Sequence, residues 1–125
     1  MLQDSHAYNG FAVDDLEKAH EFYGEKLGLK TSILDQDNGL MQLHLADDRN
    51  TLVYRKPDLT PGNYTILNFP VADVERTVDE LSGRGVTFER YEGFEQDENG
   101  IAHGPGPTIA WFKDPAGNIL SVHSE

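Results

Sequence analysis

The sequence has no cysteine, one tryptophan, and only 10 lysines and arginines against 22 aspartates and glutamates. Without cysteine there can be no disulfide framework, thiolate metal site or cysteine nucleophile. No apolar run approaches the ~18 residues that a membrane span needs, and no signal-peptide pattern opens the chain. A cytoplasmic protein is therefore the expectation. A formal charge of −12 repels phosphate backbones, which argues against nucleic-acid binding, and it raises the local concentration of cations. Serine-nucleophile, Walker-type phosphate-loop and zinc-finger patterns are all missing. What is present is 125 residues, 38% hydrophobic and 26% charged, enough for one domain with a real core.

The chain repeats itself. Residues 13–29, VDDLEKAHEFYGEKLGL, return in degraded form at residues 71–86, VADVERTVDELSGRGV. At an offset of 58, Phe11 meets Phe69, Val13 meets Val71, Asp15 meets Asp73 and Glu17 meets Glu75. One deletion later, Gly28 and Leu29 meet Gly85 and Val86. Such self-similarity fixes the architecture before any side-chain chemistry is considered.

Unit one spans residues 6–55. It begins with a strand at 6–13 that sets Phe11 and Val13 against Tyr8, Gly10 and Ala12. Asp14 can cap the helix that follows, with Glu17 as capping-box partner, and Leu16, Ala19, Phe22 (or Tyr23) and Leu27 share its inner face. Strands at 29–34, 40–45 and 51–55 complete the unit, the first two joined by an Asn38-Gly39 turn. Residues 56–63, with two prolines, read as a linker. Unit two, 64–123, repeats the order: a strand at 64–71, a helix at 73–82, then strands at 86–91, 108–112 and 119–123. Between the last three lies a long acidic, glycine-rich insertion at 92–107, of a length usually tied to function or disorder. One helix cannot cover four strands alone. Pairing the units into a curved mixed sheet, helices outside, gives an α+β fold around a cleft.

Three features carry a resemblance. Asp15-Leu16 is followed by Phe22-Tyr23 and Leu27-Gly28-Leu29, residues 112–118 read FKDPAGN, and the strand-helix-three-strand unit is duplicated. Together they resemble the vicinal oxygen chelate superfamily of glyoxalases, extradiol dioxygenases, fosfomycin-resistance enzymes and bleomycin-binding proteins. The resemblance implies a paired βαβββ domain over residues 1–125, often a homodimer. In the family's enzymes it also implies one divalent metal, held by His and Glu side chains from the first and last strands of each unit. Carried onto this sequence, those positions are Tyr8, Val53, Ile66 and Ser121, with Val53 placed by equating Asn50 with Asn118. Valine and isoleucine have no lone pairs to give, and neutral hydroxyls are poor ligands for divalent cations. No metal and no cofactor are therefore expected.

The expected ligand-binding cleft comprises Tyr8, His44, Val53, Ile66, Asn68, Trp111, Ser121 and His123, under a lid carrying Phe94, Ile101 and His103. Tyr54, Phe88 and Tyr91 are further aromatics whose facing one bulge would reverse. The resulting expectation is a metal-free protein that binds a partly apolar or cationic small organic molecule. The alternative is a divalent-metal-dependent lyase, isomerase or oxygenase with displaced ligands, for which His44, His103 and His123 are the candidates.

Overall fold

A computed structural model describes residues 1–125. The chain divides into two units, Met1–Leu59 and Thr60–Glu125. Each builds a mixed sheet carrying one helix, so the class is α+β with two βαβββ-like units.

In the first unit, strand β1 (Asn9–Val13) leads into helix α1 (Leu16–Glu21). The cap is Asp15 rather than Asp14, its side chain accepting from the Lys18 backbone N–H at 3.0 Å. After Glu21 the helix widens into a π-turn, Phe22–Lys26, closed by Leu27 N–H donating to the Phe22 carbonyl at 3.0 Å. That turn takes up the one residue by which this segment exceeds its copy. Phe22 and Tyr23, which open that turn, are both buried. Gly28 follows with φ 73°, the left-handed geometry that ends the element.

Strands β2 (Lys30–Asp35), β3 (Leu40–Leu45) and β4 (Arg49–Arg55) complete the sheet in the order β1-β4-β3-β2, with β1 and β4 parallel. Phe11, Met41 and Val53 share a register row, and Phe11 packs on Tyr23 with ring centroids 5.7 Å apart. That row faces the helix and forms the core of the unit.

In the second unit, β5 (Thr65–Val71) precedes helix α2 (Val74–Gly83), capped by Asp73 through the Arg76 N–H at 3.1 Å. The two observed caps are thus the pair that the repeat aligns. Strands β6 (Ile109–Lys113) and β7 (Ile119–Ser124) give the order β5-β7-β6, with β5 and β7 parallel. The strand expected at 86–91 is reduced to one bridge, Phe88 to Phe112. Its place along β6 is taken by the insertion, where Ala102 exchanges both backbone hydrogen bonds with Ile109, at 2.8 and 3.2 Å. The insertion is therefore a structured part of the unit.

Candidate functional site

Register decides which residues share the sheet face away from each helix. In unit one, Gly10, Leu52, Gln42 and Ser32 form one row on this open face, and Ala12, Tyr54 and Leu40 form the next. His44, paired with Asn50 and Lys30, lies on the same face, where its Nε2 shares a 2.7 Å hydrogen bond with Ser32 Oγ. Tyr8, one residue before β1, is exposed and falls on this face by alternation.

Val53 does not belong to this face. It is fully buried against the helix, beside Phe11. Asn50 is not the structural counterpart of Asn118. Asn50 lies inside β4, whereas Asn118 precedes β7 and is held in the turn by Asp114, its backbone N–H donating to Oδ1 at 2.9 Å and its Nδ2 to Oδ2 at 3.0 Å. Gly10 pairs with Leu52, and its repeat counterpart Asn68 pairs with Ser121, so Leu52 is the true equivalent of Ser121.

In unit two, the open face centres on the row Asn68–Ser121–Trp111. Ser121 is fully buried, and its Oγ–H donates to Asn68 Oδ1 at 2.6 Å. That bond orients the exposed Asn68 carboxamide with its Nδ2 donors left for another partner. His123, two residues on, shares the face, and its Nδ1–H donates to the Ser124 carbonyl at 2.7 Å. Ile66 sits at a bulge between Thr65 and Leu67.

The insertion supplies more aromatic surface. Tyr91 meets the Trp111 ring edge-on at 5.5 Å, and Phe94, about half exposed, lies over the same ring at 4.9 Å. Phe88 turns the other way, onto Phe112 at 5.5 Å. Lys113 Nζ lies 3.4 Å from Glu89, so the charges flanking this platform balance. The Tyr91 hydroxyl is shielded from solvent and makes no hydrogen bond within the protein. Burial, then the nearby Glu89 carboxylate, push its pKa up, partly opposed by Lys113, so it is a neutral donor.

Two further residues hold the insertion. Gln96 behaves like a missing strand: its Oε1 accepts from Tyr91 N–H at 2.8 Å, and its Nε2 donates to the Glu89 and Gly100 carbonyls at 2.9 and 2.7 Å. Asp97 accepts from the Asn99 and Ile101 N–H groups and from His103 Nε2–H at 2.9 Å. Neither role was readable from the sequence, because each depends on which carbonyls and amides the turn brings within reach. Ile101, expected at the tip of a lid, is instead fully buried and anchors the insertion. Phe94 and His103 are the expected lid residues that remain at the surface, beside a depression of about 710 Å3 lined also by Glu95, Asp97 and Pro105.

For a divalent metal, the first- and last-strand positions now read Tyr8, Leu52, Ile66 and Ser121. Leucine, like the valine it replaces, has no donor atom, and no group of three or more His, Asp or Glu side chains is gathered anywhere. This donor set does not fit the metal that the superfamily's enzymes hold.

With duplicated βαβββ-like units and an aromatic open face, the chain has the form of a superfamily of small-molecule binders and enzymes. The profile described as the Glyoxalase/Bleomycin resistance protein/Dioxygenase superfamily matches residues 6–122, and the chain belongs to that superfamily. It is 28% identical over 124 residues to an uncharacterized protein, YraH, of Bacillus subtilis (strain 168), covering 89% of this chain and 91% of that one. Its fold is similar to that of TnmS3, an antibiotic binding protein from Streptomyces sp. CB03234, with a TM-score of 0.71, 24% identity and 98% of each chain covered. It is also similar to a lactoylglutathione lyase from Agrobacterium tumefaciens, with a TM-score of 0.69, 18% identity, and 98% and 95% of the two chains covered. No helix is long and apolar enough to cross a membrane.

Proposed function

We propose that the protein binds a small organic molecule, without a metal, on the open sheet faces of its two units. The observation that carries this reading is the pairing of a donor-poor set of first- and last-strand residues with a partly exposed aromatic platform at Trp111. Where the superfamily's enzymes need lone pairs, this chain offers Tyr8, Leu52, Ile66 and Ser121. Trp111, Tyr91 and Phe94 offer apolar area, and Asn68 offers directed donors. Tyr8 and His44 complete the proposed binding face of unit one, and Ile66, Asn68, Ser121 and His123 that of unit two, with Phe94 and His103 at its cover. The acidic balance adds a general attraction for ligands that carry positive charge. A cytoplasmic homodimer is the assembly we propose, since the superfamily often builds its cleft in that form.

A thermal-shift screen of chelator-treated protein against neutral and cationic aromatic compounds tests the reading. At least one class should raise the melting temperature in a concentration-dependent way. Stabilisation by no compound, or only after a divalent ion is restored, would reject it in favour of a metal-dependent enzyme.

A further inference from the structure

The proposed function leaves the ligand's chemistry open, and the surroundings of Trp111 narrow it. A buried hydroxyl without a partner is costly, and native proteins rarely tolerate one unless another molecule completes it. Here the only buried side-chain polar atom lacking a hydrogen bond is Tyr91 Oη, and its ring abuts Trp111. On the other side of Trp111, across one intervening strand, Asn68 has its carbonyl oxygen engaged by Ser121, which leaves its amide nitrogen as the donor. Two strand spacings put Asn68 roughly 10 Å from Trp111, and Tyr91 lies against the opposite edge of that ring. The phenol and the carboxamide are both donors. The carboxylate nearest the phenol, Glu89, is already matched by Lys113 at 3.4 Å. A cation therefore gains little at this position, and a carboxylate ligand would meet a strongly acidic protein.

We propose that Trp111, Tyr91 and Asn68 form a subsite for a neutral, planar aromatic molecule bearing an acceptor oxygen such as a ketone. The ring lies on Trp111 in place of Phe94, and the Tyr91 hydroxyl donates to the ligand's oxygen. Phe94 suits this exchange. It is about half exposed and packs at a tilt against Trp111 within residues 92–95, a short turn whose base Gln96 holds independently through Tyr91 and Glu89. Phe94 can leave the ring without unfastening the insertion. The subsite rests on the small-molecule reading above and specifies its ligand.

Two probes that differ only in the acceptor, 2-acetylnaphthalene and 2-ethylnaphthalene, test it on the full chain. Because Trp111 is the single tryptophan, its indole N–H gives one NMR signal that reports binding at this face. The wild type should bind the ketone about three- to tenfold more tightly than the hydrocarbon, the range of one net hydrogen bond. In Tyr91→Phe that ratio should fall to about one while the melting temperature of the free protein does not drop, because the lost hydroxyl had no partner. In the wild type alone, the Tyr91 ring-carbon signal beside the hydroxyl should move with the ketone and not with the hydrocarbon, a readout that needs no variant. Equal affinity for both probes, or a ketone preference that survives in Tyr91→Phe, overturns the subsite and leaves the broader reading standing. If neither probe shifts the Trp111 signal, both fail at this face.

Discussion

Gln96 shows how much one side chain can substitute for a strand. Its carboxamide meets an N–H and two carbonyls that a neighbouring strand would otherwise satisfy. With three bonds at about 1 kcal/mol each, Gln96→Ala should cost about 2–3 kcal/mol, read as a lower denaturation midpoint. Asp97 makes a pH-dependent contribution. Partial burial pushes its pKa up, but His103 and the Ile101 and Asn99 amides outweigh this and leave it below the ordinary 3.8. A depressed folded value means the contribution is fully present above 3.8 and is lost as pH falls through the lower folded value. Amide NMR shifts of Asn99 and Ile101 should therefore move in that acidic window and stay flat in Asp97→Asn. Movement that persists in the variant would assign the effect to another carboxylate.

At the scale of elements, the repeat was legible where local chemistry is self-sufficient. The helix expected at 73–82 could be read from sequence because its signals are local; the structure starts it at Val74, with Asp73 as the cap rather than the first helical residue. The choice of Asp14 over Asp15 was wrong by one position, since both aspartates satisfy the same local pattern. Asp15→Ala should cost about 1 kcal/mol and Asp14→Ala much less, a contrast that paired thermal melts can resolve. What could not be read depends on partners distant in sequence. The strand expected at 86–91 gave way because Ala102, inside the insertion, occupies the edge of β6 at Ile109. Val53 was misplaced because Asn50 and Asn118 match in type while one lies in a strand and the other in a turn. The site inherited that one-residue slip, which in a sheet sends a side chain to the opposite face. Ile101 is the element-scale counterpart of Gln96: fully buried, it holds the insertion by packing. Ile101→Ala should cost about 2–5 kcal/mol and expose residues 92–107 to proteolysis before the rest of the unit.

For the whole molecule, superfamily membership was visible in the sequence, but the surface that distinguishes this chain was not. The Trp111 platform draws on β6, on the segment after α2 and on the insertion, three stretches whose proximity only the folded unit reveals. The first- and last-strand residues, even after Leu52 replaces Val53, lack the donors that a divalent ion needs. Aromatic binding without a metal is the central claim. Its most direct measurement is the Trp111 indole signal during a 2-acetylnaphthalene titration of protein held in excess chelator. The account predicts a saturable shift that is unchanged when a divalent ion replaces the chelator. A signal that stays still in chelator and moves only when the ion is present would contradict it.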